Sequence, residues 1–559
     1  MRTKNHCFPI PIVCILILIC FSIRSASQTL TNPILAGFYP DPSICQAGDD
    51  YYIVNSSFAY FPGLPIFHSK DLLNWKQIGH ALDRPEQLNL DGAGVSRGLF
   101  APAISYHKGT FYIVCTLIDK LGNFVITATD PKGPWSNPVA LPQVNGIDPS
   151  LFFDDNGSSY ILYNSIPPDN ISIHDGHRTI RMFEFDAKNL KVTGTEKLLI
   201  NGGTDMAKKP VWIEGPHIIR KDGWYYLICA EGGTGYNHSE VVFRSQNIYG
   251  PYVPYKNNPI LTQRHLDPSR KDPITTTGHA DFVTGPDGKW WAVFLGCRPY
   301  DGEHYNTGRE TFMAPVEWID GWPVINPGKN EVQYSYPINA VINTKAEKFS
   351  GNYLFRDDFS KKDLNDRYCF LRTLRKQWFT ISNGKLNISL QPETISGQGN
   401  PSFVGFRQPH LEGDAFVSMT FDPKAENERA GLIVFQSENH FYYLCRTMRS
   451  GKQVVQLLKG PGNNKRKEPA IVLAEVILSN LKNKASVFFR IEARKNLYNF
   501  YFAVQKKEWK LLATADATFL STKTAGGFVG SIYGMYATSE NTSSTNVAKF
   551  DLFEVKSVE

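Results

Sequence analysis

The sequence predicts an all-β protein, a five-bladed β-propeller followed by a β-sandwich. The first observation is a repeat, in which a short polar-to-apolar step leads five times into a turn and then into a strongly β-forming segment. The second is that no segment of useful length has helical periodicity. A repeat of three or four strands cannot bury both of its faces alone, so the copies must pack together as propeller blades do.

Each repeat opens with a short, similar peptide. The five openings are Asp41-Pro-Ser-Ile, Ala101-Pro-Ala-Ile, Asp148-Pro-Ser-Leu, Gly215-Pro-His-Ile and His279-Ala-Asp-Phe. The strands predicted to follow are Tyr51–Val54, Phe111–Val114, Tyr160–Leu162, Trp224–Cys229 and Trp290–Phe294. In four of the repeats a third segment closes on an aromatic residue, namely Trp75, Trp135, Tyr252 or Trp322. The openings are far apart for compact blades, which indicates long inserted loops.

The residues that open the blades are the first candidates for a functional site. Because these strand ends converge on the axis of a propeller, we expect Asp41, Asp148 and His279 to meet there. Ala101 opens the second blade, and Glu214 lies one position ahead of the fourth opening. Carboxylates brought together raise one another's pKa, which is unfavourable unless the site uses it. Asp-Pro-Ser is also ordinary turn chemistry, but three acids in register favour a functional site.

The two predicted domains cover residues 28–335 for the propeller and 353–559 for the sandwich. Short strands separated by polar turns are typical of two packed sheets. The strands predicted in the second domain are Val417–Phe421, Gly431–Phe435, Phe441–Arg446, Val454–Leu458, Ala485–Glu492, Tyr498–Val504 and Lys549–Glu554. A further, glycine-punctuated strand is predicted at Gly526–Gly530, passing close to neighbouring backbone.

Residues 1–27 have the pattern of a signal peptide. A basic start at Arg2 and Lys4 precedes an apolar run from Phe8 to Phe21, and small residues follow at Ser25–Ser27. The apolar run is too short to span a bilayer, so we expect cleavage near Ser27 and an exported protein, periplasmic or secreted, without membrane insertion. Without this segment the formal charge falls from +6 to +3, which does not indicate a nucleic-acid partner.

The remaining six cysteines are scattered singly through strand-like segments. They are Cys45, Cys115, Cys229, Cys297, Cys369 and Cys445. Their spacing resembles neither a zinc site nor a dense disulfide framework, so we predict buried free thiols.

The motifs together resemble glycoside hydrolase family 43, whose members include β-xylosidases and α-L-arabinofuranosidases. The resemblance lies in Asn32–Ser43, Gly146–Leu151, Glu214–His217, Gly278–Ala280 and Gly308–Thr311, and it covers nearly the whole chain after residue 27. The second half is similar to the concanavalin-like jelly roll that accompanies the propeller in the xylosidase branch of that family.

The resemblance implies a role for each of the three acids. Asp41 matches the general base that activates water, and Glu214 matches the general acid that protonates the departing oxygen. Asp148 matches a third carboxylate that orients the acid and raises its pKa. Because the family inverts the configuration of the sugar, the carboxyl groups of Asp41 and Glu214 are expected to stand roughly 6.5–9.5 Å apart.

Five further residues are candidates for substrate binding. Arg309 matches an arginine that contacts sugar hydroxyls, although an arginine in such a motif can also form a framework ion pair. Phe58 matches a residue that packs on the sugar, and Phe100 stands where close relatives often carry Trp, which leaves a smaller wall. Tyr236 lies in a loop that is either structural or borders the site. His279 matches an axial histidine that is either structural or contacts a calcium-bound water.

The implied activity is the release of terminal α-L-arabinofuranose from hemicellulose side chains or oligosaccharides, with no cofactor required. The one metal that the resemblance offers is a structural calcium ion in the propeller channel. Two alternatives stay open: a β-D-xylosidase acting on xylo-oligosaccharides, and a non-catalytic carbohydrate-binding propeller. Inactive propellers usually lose an acid, whereas Asp41, Asp148 and Glu214 are all present. An endo-acting arabinanase would need an open groove.

Overall fold

The structure is a computed structural model that describes residues 27–340, 347–463, 468–479, 485–506 and 508–558. The segment predicted as a signal peptide therefore lies, except for Ser27, outside the described residues. Within these ranges α1 (Thr522–Ala525) is the only α-helix, and no helix there is long and apolar enough to cross a membrane. Short 3-10 turns occur at Pro168–Asn170, Met206–Lys208 and Ala517–Leu520. The all-β prediction is confirmed.

Five antiparallel sheets form the blades, one for each predicted repeat. Strand β1 (Ser27–Thr31) precedes them. Blade 1 contains β2 (Ser43–Ala47), β3 (Asp50–Val54), β5 (Gly63–Ser69) and β6 (Lys76–Leu82), while the short β4 (Tyr60–Phe61) leaves this sheet. Blade 2 contains β7 (Ala103–His107), β8 (Thr110–Leu117), β9 (Gly122–Ala128) and β10 (Val139–Ala140). Blade 3 contains β11 (Ile147–Phe153), β12 (Ser159–Ser165), β13 (Thr179–Asp186) and β14 (Lys191–Asn201).

The last two blades follow the same order. Blade 4 contains β15 (Glu214–Lys221), β16 (Trp224–Glu231), β17 (Ser239–Ser245), β18 (Val253–Pro254) and the additional β19 (Leu261–Thr262). Blade 5 contains β20 (Thr275–Thr284), β21 (Trp290–Cys297), β22 (Glu310–Ile319) and β23 (Trp322–Ile325). The strands predicted from the β-forming runs are β3, β8, β12, β16 and β21, the second strand of each blade.

These second strands are apolar without alternation because neighbouring blades cover both of their faces. In β21, seven of eight residues are buried. Three of the four aromatic residues predicted to close the third segments are buried, with Trp75 and Trp135 each 3% and Tyr252 8% exposed, while Trp322 is half-buried. Burial of the repeated element between copies is therefore what holds the blades together.

A linking strand, β24 (Ser335–Asn339), pairs with β1 and returns the chain to its start. The sandwich that follows has two sheets. One holds β26 (Tyr368–Leu371), β29 (Ser402–Arg407), β31 (Arg429–Ser437), β32 (His440–Arg449), β33 (Lys452–Lys459), β34 (Ile471–Ile477) and β38 (Ile532–Thr538). The other holds β25 (Leu354–Asp357), β27 (Phe379–Ile381), β28 (Leu386–Ser389), β30 (Glu412–Thr420), β35 (Ser486–Arg494), β36 (Leu497–Ala503), β37 (Lys510–Asp516) and β39 (Val547–Val558). All seven strands listed for this domain from the sequence are present.

The segment Gly526–Gly530 is a loop, so the strand predicted there was wrong. Gly526 and Gly527 both have φ of +76°, a left-handed conformation that an extended strand does not use. The predicted close approach to backbone does occur, because a Cβ atom on Gly530 would lie 2.5 Å from the carbonyl oxygen of Thr307. The loop therefore docks the sandwich on the propeller.

A second junction joins the two domains through a strand. β4, which comes from the first blade, pairs with β26 at the edge of a sandwich sheet. The sequence did not predict the pairing of β4 with β26, because a two-residue strand is too short to show a periodic pattern. The six cysteines form no disulfide among the described residues; five are buried and Cys45 is half-buried, in agreement with the prediction of free thiols.

Candidate active site

A pocket of about 120 Å³ lies where the blade-opening strands converge. It contains seven of the eight residues predicted for the site. The lining residues are Asp41, Phe58, Phe100, Ala101, Ile147, Asp148, Trp212, Glu214, Thr234, His279, Arg309 and Phe528. The exception is Tyr236, which is not among them.

The blade openings share an unusual backbone conformation that aims their side chains into this pocket. Asp41, Asp148 and His279 have φ of +51°, +53° and +55°, and Gly215 has φ of +56° at the matching position of blade 4. The strand pairing is also irregular at the last three of these positions, as in a β-bulge, which re-aims a side chain. Blade 4 places glycine at this position, so its acid, Glu214, stands one residue earlier. Left-handed conformations at non-glycine residues are strained and cluster at functional sites.

Burial raises the pKa of both acids on blades 3 and 4. The pKa of Glu214 rises to about 7, first because the carboxyl is buried and second because of the charge on Asp41. The pKa of Asp148 rises well above its usual range through burial and through the charges on Glu214 and Asp41. The sequence led us to expect the charge on Asp148 to be the main cause for Glu214, whereas burial is the larger one. Two buried carboxyls this close retain a proton between them near neutral pH.

Asp41 has different surroundings. An Nη1–H of Arg309 donates to its Oδ1 at 2.6 Å, and the Ser56 hydroxyl donates to its Oδ2 at 2.5 Å. Both members of the ion pair are buried, with Asp41 4% and Arg309 7% exposed. A short charge-assisted pair of this kind suits an ionised carboxylate. The site thus separates a charge-paired acid from a pair of acids that holds a proton.

His279 packs against the glycine of blade 4. A Cβ atom on Gly215 would lie 2.9 Å from the imidazole ring, so glycine is needed here for space as well as for its φ. Burial lowers the pKa of His279 to about 4, which leaves the ring neutral at physiological pH. The imidazole can therefore exchange a hydrogen bond with water.

The residues around His279 do not fit direct coordination of calcium. One His279 nitrogen and one oxygen each from Asp148 and Glu214 lie within 4.8 Å of one another. Calcium prefers six to eight oxygen ligands, and this set offers two oxygens and a nitrogen. A cation bound there would also compete with the proton that Asp148 and Glu214 share. A calcium ion held through water stays a prediction.

Three phenylalanines form the apolar wall of the pocket. The ring centroids of Phe58 and Phe100 lie 5.5 Å apart, and Phe528 lies 5.9 Å from Phe58 and 6.0 Å from Phe100. Phe528 belongs to the sandwich loop described above, and its amide donates to the Ser96 hydroxyl at 3.0 Å. Phe528 is not among the residues predicted from the sequence, although an aromatic residue in a glycine-rich segment was a visible signal. The second domain therefore supplies part of the site.

Trp212 also lines the pocket and, like Ile147 and Thr234, it was not predicted from the sequence. It stands two positions before Glu214, and its side chain donates a hydrogen bond that lowers the pKa of that acid. Tyr236, by contrast, turns away from the pocket, because its hydroxyl donates to the carbonyl oxygen of Leu266 at 2.9 Å. The same loop presents Thr234 to the pocket instead.

Hydrolysis of a glycosidic bond requires one carboxyl that holds a proton and another that is ionised. The pocket provides both at the centre of a propeller, and this combination defines a glycoside hydrolase. Comparison with models of protein families identifies the family of glycoside hydrolases. Residues 30–323 match the model described as glycosyl hydrolases family 43, and residues 356–556 match the beta xylosidase C-terminal concanavalin A-like domain. The chain belongs to glycosyl hydrolase family 43.

Known proteins and solved structures are similar to this chain over nearly its whole length. A protein named xylosidase/arabinosidase from Butyrivibrio fibrisolvens is 39% identical over 94% of this chain and 99% of its own length. The non-reducing end alpha-L-arabinofuranosidase BoGH43B of Bacteroides ovatus is 37% identical, covering 96% of each chain. The crystal structure of a GH43_12 protein from a capybara gut metagenome is 41% identical over 92% of this chain and 95% of that chain, with a TM-score of 0.85.

Proposed function

We propose that this enzyme is an exported, exo-acting and inverting hydrolase that releases terminal α-L-arabinofuranose from hemicellulose side chains or oligosaccharides. The observation that carries the proposal is the size and closure of the pocket. At about 120 Å³ it is well below the roughly 300–1,000 Å³ of sites for drug-sized ligands. It can hold one sugar ring rather than a stretch of polysaccharide.

The sandwich loop supports exo action. Phe528 closes one side of the pocket against Phe58 and Phe100, so a chain cannot pass through. An endo-acting enzyme needs a groove that is open at both ends. The substrate therefore inserts a terminal residue, and the rest of the oligosaccharide stays outside.

Each carboxyl has the role that its surroundings favour. Asp41 is the general base, since its ion pair with Arg309 suits the ionised form. Glu214 is the general acid, since its pKa of about 7 keeps a proton available for the departing oxygen. Asp148 shares that proton and orients the acid. Water activated by Asp41 attacks the anomeric carbon opposite the leaving group, which inverts its configuration.

The phenylalanines and Arg309 hold the sugar. Arg309 Nε is buried without a hydrogen-bond partner among the described residues, so it has a donor left for a sugar hydroxyl. Phe58 is 2% exposed and provides a fixed apolar floor. Sugar rings combine apolar C–H faces with hydroxyl edges, and this arrangement offers a partner for each.

The preference for arabinofuranose rests on two supports. The Bacteroides ovatus relative is named as an α-L-arabinofuranosidase, and Phe100 leaves a smaller wall than tryptophan would, which suits a puckered furanose. A difference of one ring edge discriminates by only about 1–3 kcal/mol, so some xyloside cleavage should accompany it. The β-D-xylosidase function is the second candidate, favoured by the double name of the Butyrivibrio relative.

The test is parallel turnover of aryl α-L-arabinofuranoside and aryl β-D-xyloside by the purified protein. A higher kcat/KM on the arabinofuranoside is expected, and a higher value on the xyloside would replace the proposal by the second candidate. Turnover of neither substrate would refute both candidate specificities. Proton NMR of the first product should show the inverted anomer, and the retained anomer before mutarotation would refute the inverting scheme.

Two smaller elements of the proposal have their own tests. The basic start and apolar run of residues 1–27 support export, which N-terminal sequencing of protein from cell fractions examines. A calcium ion held through water near His279 is examined by elemental analysis of protein purified without chelator. Neither result changes the roles of the three acids.

A further inference from the structure

An arginine lies stacked on the tryptophan that lines the pocket next to Glu214. The Cζ atom of Arg178 stands 4.0 Å from the centroid of the Trp212 ring. The Trp212 backbone is held by the same loop, because its amide donates to the carbonyl oxygen of Gly176 at 2.7 Å. Trp212 also has φ of +56°, a strained conformation for a large residue. The chain therefore holds this indole in place against a conformational cost.

The Arg178 guanidinium has donors to spare. Among the described residues it forms no ion pair and no hydrogen bond, and its side chain is half-buried. Burial lowers the pKa of Arg178, and the charge on Glu214 raises it, so the guanidinium and that acid lie within electrostatic reach. A structural arginine at such a depth normally has a carboxylate or several carbonyls as partners. Its five N–H groups are available for a ligand instead.

The position of this pair corresponds to the leaving group of the reaction. Glu214 is proposed to protonate the departing oxygen, so the sugar attached through that oxygen must lie beside Glu214. Trp212 lines the pocket beside this acid, since its side chain donates a hydrogen bond to Glu214, and the adjacent Val211 is 44% exposed. Phe58, in the phenylalanine wall of the pocket, is only 2% exposed.

We propose that Arg178 and Trp212 form the binding subsite for the leaving saccharide. The guanidinium donates hydrogen bonds to hydroxyls of the second sugar, and the indole supports that sugar's apolar face. The ligand class is a neutral oligosaccharide that carries the terminal pentose. This inference deepens the proposed function and rests on it. It gives the enzyme a means of preferring sugar leaving groups over simple alcohols or phenols.

The test compares two substrates in the variant Arg178→Met. One is aryl α-L-arabinofuranoside, whose leaving group has no hydroxyls, and the other is the same sugar linked to xylotriose. The loss of kcat/KM on the saccharide should exceed the loss on the aryl substrate by about 10- to 100-fold, the usual effect of removing hydrogen bonds from a charged donor. Arg178→Lys keeps the charge without the planar donor fork, so it should recover only part of the difference.

Arg244 provides a matched control. Its guanidinium also stacks on indole rings, with Cζ 4.4 Å from the centroid of Trp224 and 4.2 Å from that of Trp322, but it lies on blade 4 away from the pocket. Arg244→Met should therefore leave the ratio of kcat/KM on the two substrates at the wild-type value. A changed ratio would mean that loss of a stacked arginine acts through the fold.

Binding measurements distinguish an effect of Arg178 on saccharide affinity from an effect on the chemical step. In the Asp41→Asn background, calorimetry should show weaker binding of the xylotriose conjugate when Arg178→Met is added, with little change for free arabinose. Equal losses of kcat/KM on both substrates would overturn the subsite and make Arg178 a residue that only positions Trp212. If the wild type cleaves neither substrate, the proposed function itself fails. Should the xyloside be preferred, xylobiose and aryl β-D-xyloside replace the pair.

Discussion

Replacement of Glu214 by Gln should make the protein more stable near neutral pH while removing the proposed general acid. Gln has nearly the shape of the acid and can keep the hydrogen bond from the Trp212 side chain, but it does not titrate. Burial holds the pKa of Glu214 at about 7 in the folded protein, compared with 4.5 ordinarily. Between these two pH values the unfolded chain releases a proton that the folded protein retains. The stability of the wild type therefore falls as pH rises through this range.

The size of the effect follows from the same two values. The difference between 4.5 and about 7 corresponds to about 3 kcal/mol of stability lost by the wild type between the lower and the higher pH. The variant avoids this loss, so its advantage over the wild type should grow by up to about 3 kcal/mol from acidic to mildly alkaline pH. Asp148 acts in the same direction, because it loses a neighbouring charge when Glu214 is replaced.

The assay is urea denaturation followed by tryptophan fluorescence at about pH 4, 6 and 8, with activity measured in parallel. Glu317→Gln serves as the control, since Glu317 is exposed on β22 and should show no such trend. Activity on sugar–sugar linkages should fall by about 10²–10⁴-fold, and far less on aryl substrates with acidic leaving groups. A stability difference that does not change with pH would refute the buried, proton-holding acid. Equal rate losses on both substrate types would refute its role as the acid.

Three further predictions test the rest of the site. Asp41→Asn should keep the fold and reduce turnover by about 10²–10⁴-fold; a variant with more than about a tenth of the wild-type rate would remove Asp41 from the mechanism. Asp148→Asn should shift the alkaline limb of the pH–rate profile to lower pH, because two acids that share a proton hold it more tightly than one; an unmoved limb would contradict that role. Gly530→Ala should raise KM about tenfold or more, because its Cβ would lie 2.5 Å from a Thr307 backbone atom and displace Phe528. Gly526→Ala, in the same loop, meets no atom within 4 Å and so tests a substitution without a clash; an unchanged KM in Gly530→Ala would exclude displacement of Phe528.

Most of the fold was predictable because repetition is written directly in the sequence. The second strand of each blade is buried and therefore apolar, so apolar segments such as Trp290–Phe294 predicted the buried strands that the structure contains. The blade openings predicted the acids for a similar reason. Equivalent positions of the repeated blades lie at equivalent places around the propeller axis, so acids at these positions face one another. The sequence alone therefore predicted that Asp41, Asp148 and Glu214 lie together, as they do in the pocket.

Contacts between distant segments are what only the tertiary structure decided. Phe528 enters the pocket because Gly530 allows the sandwich loop to pack against the backbone next to Arg309. Nothing in the sequence around Gly530 or around Arg309 indicates that these two segments are in contact. The stacking of Arg178 on Trp212 likewise joins blade 3 to blade 4. The sequence by itself determined the repeating strands and the acids, because each is a local pattern that recurs. The walls of the pocket depend on how loops from different blades and domains pack together, and the local sequence of one segment does not predict its contacts with a distant one.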